Sequence, residues 1–289
     1  MRIAITGAAG MLGQDLRAAA MDAGHEVIAL SRADLDITDA AAVADALRDA
    51  RPQVVVNSAA WTDVDGAEGD EAGALAVNRA GAGNVAAAAA ASGAWTIHVS
   101  SDYVFDGSKD SPYLESDPVG PLSAYGRSKL AGERAVAGNA RERHTIVRSS
   151  WLFGAGGPCF PATILRLAGE RAELRVVDDQ TGCPTFTGHL AEALVDLAAS
   201  DERPAGIVHV AGDGSCTWFE FAREIVAMSG VSCEVKPCTT AEMPRPAPRP
   251  AYSVLRSGRG GEVPVLPKWR DGLARWLAVT AAAREVRAA

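Results

Sequence analysis

Tyr125 and Lys129 stand four positions apart in the stretch SAYGRSK. Residues at that spacing share one face of a helix. A free phenol titrates near pH ~10, which is too high for proton transfer near neutrality. An ammonium on the same face stabilises the phenolate and brings the value down toward a useful range. Alone, the spacing also describes a wet helix surface. Two further groups change its meaning. Ser101, at the end of the apolar run WTIHVSSDYVF, offers a hydroxyl that can hydrogen-bond a carbonyl oxygen and stabilise a developing alkoxide. Gly7, Gly10 and Gly13 form a GxxGxxG string directly after the first apolar run and at the start of a helical stretch. Such glycines let the backbone turn tightly and approach a diphosphate, and the following helix presents free N–H groups and a positive dipole end to it. A hydride-carrying dinucleotide, a carbonyl partner and a proton donor would together reduce a ketone.

The elements that must position these groups follow from pattern. RIAIT, HEVIAL, QVVVNSA and WTIHVSS are short apolar runs, each followed by a helical stretch such as MLGQDLRAAAMDAG, AAVADALRDA or AGALAVNRAGAGNVAAAAAASG. Apolar strands spaced by helices indicate a parallel sheet covered on both faces. The expected fold is therefore α/β, a doubly wound Rossmann sheet whose ligand crevice lies at the carboxyl ends of the strands. SAYGRSKLAGERAVAG continues the pattern as a helix and HTIVRSSWLFG as a strand. Beyond it the alternation loosens. Residues 1–150 are expected to form the dinucleotide-binding domain, and residues 151–289 mainly a smaller α/β substrate domain. A strand near 206–212, GIVHVAG, is expected to return to the main sheet. The stretch MPRPAPRPAYSVLRSGR carries four prolines, so it should be extended and lie on the surface.

Composition narrows the partners. At 289 residues, with 48% hydrophobic and 22% charged, the chain has an ordinary globular make-up and room for a sizeable core. A net charge of −8 argues against nucleic acid or an anionic membrane as its main partner. The start, MRIAITGAAGMLG, has no signal-peptide pattern, and no stretch reads as a membrane span. Five scattered cysteines without a CxxC pair read as reduced thiols in a cytoplasm, and no metal site is expected.

At the end of the second strand an acidic residue binds a ribose 2′-hydroxyl, whereas an arginine accommodates a 2′-phosphate. Arg32 favours NADPH there; Asp34 and Asp36 keep NADH open.

With these motifs in order, the chain resembles the extended short-chain dehydrogenase/reductases, and within them the dTDP-4-dehydrorhamnose reductase family. The blocks that carry the resemblance include ITGAAGMLGQDL, VVVNSAAWTDVDGAE, HVSSDYVFDG, PLSAYGRSKLAGE, IVRSSWLFG and VVDDQTGCPT, spread over nearly the whole chain. The resemblance implies reduction of the C4 ketone of dTDP-4-dehydro-β-L-rhamnose by NADPH or NADH. Tyr125 would protonate the alkoxide; Lys129 would lower its pKa and hold the nicotinamide ribose. Ser101 stands where the family usually has threonine and keeps the hydroxyl, with Asp102 lining the sugar site beside it. Gly7, Gly10, Met11, Leu12 and Gly13 would meet the diphosphate, and Arg32, Asp36 and Ile37 the adenosine end. Ala59, Ala60 and Trp61 would lie beneath the cofactor, Trp61 departing from the family's smaller residue. Trp151 would pack against the sugar. Some relatives dimerise through magnesium; Asp15 lies where such a ligand would be needed, but no complete ligand set is readable. A homodimer is the expected assembly. Two alternatives remain: a 4-ketoreductase for another dTDP-deoxysugar of dihydrostreptose type, and a non-catalytic NADP-binding regulatory subunit.

Overall fold

The computed structural model describes residues 1–288. β1 (Arg2–Thr6), α1 (Met11–Asp22), β2 (Glu26–Leu30), α2 (Ala40–Ala50) and β3 (Val54–Asn57) alternate as the apolar runs predict. After α3 (Gly66–Gly69) and α4 (Glu71–Leu75), a π turn at Ala76–Gly81 leads into α5 (Ala82–Ala91). β4 (Trp95–Ser101), α6 (Ala124–Ala140) and β5 (His144–Ser149) complete the first half. The remainder holds β6 (Leu152–Phe153), α7 (Phe160–Glu170), β7 (Glu173–Val177), β8 (Thr181–Gly182), β9 (Thr185–Phe186), α8 (Thr187–Ala199), β10 (Gly206–His209), β11 (Cys216–Thr217), α9 (Trp218–Ser229), β12 (Glu234–Cys238) and α10 (Trp269–Ala288).

Six strands form one parallel sheet in the order β10-β5-β4-β3-β1-β2. β3 is buried along its whole length, as a strand covered on both faces must be. On one face α1 packs beside α8, and Leu16, Leu190, Leu194 and Val208 share a core with Ile3, Ile5 and Val56. On the other face α2, α5 and α6 cover the sheet. Because α8 and β10 belong to this layer, residues 187–209 complete the sheet that residues 1–149 begin. A second core gathers Phe153, Ile164, Phe186, Phe221, Trp269 and Trp276 around the short strands of the C-terminal half.

Two local features depart from the sequence reading. The alanine-rich stretch expected as one helix is interrupted by the π turn. There the Asn78 amide nitrogen donates to the Trp61 carbonyl at 3.1 Å and to the Ser128 hydroxyl at 2.8 Å, while its oxygen accepts from the Trp61 amide at 2.8 Å. A side chain claimed by two neighbouring segments is a sufficient cause for a local change of pitch. The proline-rich stretch is extended but does not lie wholly on the surface: Ala247, Ser253, Val254 and Leu255 are buried. Its non-proline amides and carbonyls pair inward, Tyr113 N to Val254 O at 2.8 Å and Ser253 N to Thr181 O at 2.8 Å. The stretch is a strap tied to both halves of the chain.

The glycine turn is the tightest part of the fold. Gly7 has φ +70°, and a Cβ on it would sit 2.7 Å from the Ala59 nitrogen. A Cβ on Gly13 would lie 2.2 Å from the Gly7 carbonyl oxygen, with backbone rather than a flexible side chain in the way. Gly13→Ala is therefore expected to cost about 1–3 kcal/mol of stability, as overpacking does, and to weaken dinucleotide binding in parallel. Urea denaturation and cofactor titration check both; a variant matching the parent in both would show that the turn tolerates the side chain.

Candidate active site

Ser123 caps α6, its hydroxyl accepting from Gly126 N at 3.1 Å, so the helix begins directly beneath the end of β4. Tyr125 lies in the first turn and Lys129 one turn further on, facing the sheet. The spacing thus yields a common face, but not the expected direct effect of one group on the other. The Lys129 ammonium is buried and donates to the Val99 carbonyl at 2.7 Å. Burial pushes the Tyr125 phenol up to about 12, the Ser101 hydroxyl pulls it down, and the charge of Asp102 raises it again. In the protein alone desolvation wins, and Tyr125 is held firmly as the protonated acid. Burial also pushes Lys129 down to about 8, against the opposing charge of Glu133.

Ser101 sits at the carboxyl end of β4. Its hydroxyl donates to Asp102 Oδ1 at 3.0 Å and accepts from the Tyr103 amide at 3.2 Å. Asp102 is buried, and its other oxygen accepts from the Ser253 hydroxyl at 2.6 Å. Both carboxylate oxygens are therefore engaged, and in this arrangement Asp102 orients Ser101. Desolvation raises its pKa to about 6, with the two serine hydrogen bonds opposing. Tyr103 packs edge-on against Tyr125, the ring centroids 5.7 Å apart.

The dinucleotide cradle can be tested on the backbone alone. The first residue before α1, Gly10, makes no side-chain cap, so the helix's leading N–H groups have no side-chain acceptor there. Gly7 and Gly13 leave no room for a Cβ, Leu12 is buried in the sheet core and Met11 packs toward the second core, so what this turn offers a ligand is backbone. These residues fit a bound diphosphate. At the tip of β2, Asp34 accepts from the Ser31 amide and hydroxyl, and Asp36 accepts from the amide and hydroxyl of Thr38. Both carboxylates are spent closing their own turns, which leaves the exposed Arg32 as the side chain free to meet a 2′-phosphate. The Ile37 side chain is buried against Gly81, and its carbonyl accepts from Asn84 at 3.0 Å. Ala59 abuts Gly7, Ala60 follows it half-buried, and Trp61 packs into the small cluster that also touches Tyr125.

Trp151 is placed differently from a free sugar wall. It adopts φ +48°, unusual for a bulky residue, and its indole stacks on Trp218 with centroids 3.5 Å apart and planes within 5°. Gly182 must be glycine beside it, since a Cβ there would lie 2.4 Å from the indole. Sequence reasoning missed Trp218, Ser253 and Asp65. Arg245 and Arg249 both bind the Asp65 carboxylate, Arg249 at 3.1 Å through each terminal nitrogen, so two of the strap's four arginines clamp the loop after β3. Asp15 lies on α1, its carboxyl raised by burial, with the Thr187 hydroxyl and the charge of Arg275 opposing.

A parallel doubly wound sheet, a glycine cradle at its first turn and a Tyr–Ser–Lys cluster at its strand ends define a Rossmann-type dinucleotide-dependent reductase. Comparison gives the family. The family model described as the RmlD substrate binding domain matches residues 1–282, and the chain belongs to that family. It is 46% identical over 275 residues to a Streptomyces griseus dTDP-4-dehydrorhamnose reductase, covering 93% of this chain and 90% of that one. It is 41% identical over 279 residues to a probable dTDP-4,6-dihydroxy-2-methyloxan-3-one 4-ketoreductase of Streptomyces antibioticus, covering 94% and 93% of the two chains. The structure of a Bacillus anthracis dTDP-4-dehydrorhamnose reductase in complex with NADP superposes with a TM-score of 0.92 at 36% identity, over 96% of this chain and 98% of that one.

Asp102 provides a test of the buried network. Its folded-state pKa of about 6 lies above the ordinary 3.8, so the folded protein holds this proton more tightly than the unfolded chain. Raising the pH from 4 through 6 therefore costs stability, at most about 3 kcal/mol for two pKa units. Asp102→Asn, which carries no charge, is expected to be more stable than the parent at pH 8, with the advantage shrinking as pH falls toward 4. Urea midpoints at the two pH values read this; an equal difference at both would mean that Asp102 is not ionised at a cost.

Proposed function

We propose that the chain is an NADPH-dependent reductase of the C4 ketone of dTDP-4-dehydro-β-L-rhamnose, giving dTDP-L-rhamnose. The observation that carries this reading is the Tyr125–Ser101–Lys129 cluster beside the glycine cradle, in a chain 46% identical to a dTDP-4-dehydrorhamnose reductase. NADPH supplies a hydride when bound. The backbone at Gly7, Gly10, Met11, Leu12 and Gly13 holds the diphosphate, Arg32 the 2′-phosphate, and Asp36 and Ile37 flank the adenosine. Ala59, Ala60 and Trp61, which follow β3, would lie beneath the cofactor.

Ser101 turns its single hydroxyl proton from Asp102 to the carbonyl oxygen at C4 when the sugar nucleotide binds. As hydride reaches C4, the carbonyl electron pair moves to that oxygen and Tyr125 transfers its phenolic proton there. Once the ligands are bound, the Lys129 ammonium on the same helix face stabilises the resulting phenolate. A phenol held up near 12 is a weak acid at neutrality. Carriage of the proton thus depends on the Lys129 charge and on the bound ligands to bring that value down. Trp151 and Asp102 stand on the sugar side of the crevice. Residues 1–150 with the returning β10 act as the dinucleotide half, and most of 151–289 as the sugar-nucleotide half. Cytoplasmic location and assembly as a homodimer belong to the same reading; light scattering of the purified protein reads the second.

A second reading is favoured by the similarity to the probable Streptomyces antibioticus 4-ketoreductase: the same chemistry on another dTDP-4-keto sugar.

NADPH consumption on purified dTDP-4-dehydrorhamnose, with the stereochemistry of the product sugar, decides between them. Turnover of a different dTDP-4-keto sugar with none of dehydrorhamnose would overturn the first. Tyr125→Phe is expected to lower kcat by about 10²–10⁴-fold, the usual worth of a general acid, with little change in stability; unchanged ketone reduction removes Tyr125 from the chemistry. Arg32→Ala is expected to raise KM for NADPH while leaving NADH untouched, and a KM that moves equally for both would sink the 2′-phosphate assignment.

A further inference from the structure

Glu133 follows Lys129 by four residues, as Lys129 follows Tyr125, so the three form one row down the sheet-facing side of α6. The row ends in the most deeply buried ion pair of the described residues. Arg148 on β5 donates through Nε at 2.8 Å and Nη2 at 2.7 Å to the two oxygens of Glu133, and neither side chain is more than 3% exposed. The Ser100 hydroxyl donates to Glu133 Oε1 at 2.6 Å, and the guanidinium faces the Phe105 ring at 5.0 Å. The carboxylate is thus held in one orientation from β4 and β5 at once.

Lys129 is the group with a deficit. The residue is 3% exposed, and its ammonium has one acceptor, a neutral carbonyl. Three donors served by one carbonyl do not compensate a buried charge. The charged and titratable groups on the elements that face it are Tyr125 and Glu133 on α6, His98 and Asp102 on and after β4, and Arg148 on β5; of these, His98 and Glu133 interact electrostatically with it. His98 is neutral in place: burial first, and then the charge of Lys129, push its pKa well down, and its Nδ1 sits 3.1 Å from the Asn57 amide. Asp102 is occupied by two serines, and Arg148 carries the wrong sign. Of these, Glu133 is the charge that favours the ammonium.

We propose that Glu133 is a positioning residue for Lys129, its clamped carboxylate supplying the countercharge that keeps the ammonium in the floor of the crevice. The inference rests on reading Lys129 as part of the reductase site. It predicts that the alkaline limit of turnover is set from one helical turn below the chemistry.

The test uses Glu133→Gln and the double variant Glu133→Gln/Arg148→Met, the latter leaving no unpaired buried guanidinium if the single variant folds poorly. Two pH titrations are compared with the parent: kcat for ketone reduction, and the Lys129 Nζ resonance in lysine-labelled protein followed by NMR, which reads a buried amine in place. Both midpoints are expected to fall by about one pH unit, with turnover recovering toward the parent value at low pH. A Lys129 NMR midpoint that stays at the parent value in the folded variants overturns the proposal. An NMR midpoint that falls while the kcat limb stays put upholds the coupling and removes Lys129 from the proposed chemistry.

Discussion

The Asp102 carboxylate is the point on which both halves of the chain close. One oxygen accepts from Ser101 at the end of the central strand β4, the other from Ser253 in the proline-rich strap. A buried carboxylate is costly unless its lone pairs are engaged. The cost therefore acts as a constraint: the strap must reach Ser253 to this spot, and the turn after β4 must present Ser101. The strap's other ties follow from the same placement. Its main chain bridges to Tyr113 and Thr181, and its Arg245 and Arg249 hold Asp65 in the loop after β3. That loop begins at the Ala59 backbone lying against Gly7. The two sides of the crevice are thus set by one run of polar contacts.

A second constraint fixes α6. The alanine-rich helices pack largely through small apolar side chains, and α6 also carries the bidentate Glu133–Arg148 pair. Such a pair is directional, and breaking it by removing one partner typically costs about 3–5 kcal/mol. It pins the register of α6 on β4 and β5, and with it the depth at which Tyr125 meets Ser101. Close backbone approach adds to this: a Cβ on Gly132 would lie 2.2 Å from the Asn78 carbonyl, so α6 and the π turn are in direct contact. Position at the strand ends is therefore inherited from contacts two turns down the helix.

What could be read from sequence divides along these lines. The strands, the glycine turn and the Tyr–Lys spacing are local patterns, each carried by a few consecutive residues, and the structure reproduces them. β10 was legible because a buried apolar run must join a sheet. The contacts that aim the site were not, since they join residues far apart in the chain: Asp102 to Ser253 across 151 positions, Asp65 to Arg249 across 184. The strap looked like surface because prolines cannot donate, yet its remaining main-chain groups pair inward. Glu133 did leave a signal. It repeats the interval of Tyr125 and Lys129, and Arg148 is a charge inside an apolar strand run, HTIVRSS, which a buried strand tolerates only with a partner.

Chemistry and specificity are accordingly built from different material. The groups proposed to move a proton stand on long elements, β4 and α6, whose position is overdetermined by the sheet and the buried ion pair. The groups that would touch a sugar stand on short ones: Trp151 precedes the two-residue β6, and Trp218 follows the two-residue β11. Their indoles hold each other at 3.5 Å, and Trp151 keeps an unfavourable backbone angle to do so. Stacking of this kind contributes about 0.5–1.5 kcal/mol beyond area, comparable to the cost of the strained backbone, so the arrangement is balanced rather than rigid. These short strands pair as β6 with β9 and β11 with β8, outside the six-stranded sheet, and β8 is tied further to the strap at Tyr252. Separating the two in this way would let sugar contacts change while the ketone-reducing groups stay fixed, in a chain similar both to dTDP-4-dehydrorhamnose reductases and to a probable 4-ketoreductase named for a different dTDP-sugar.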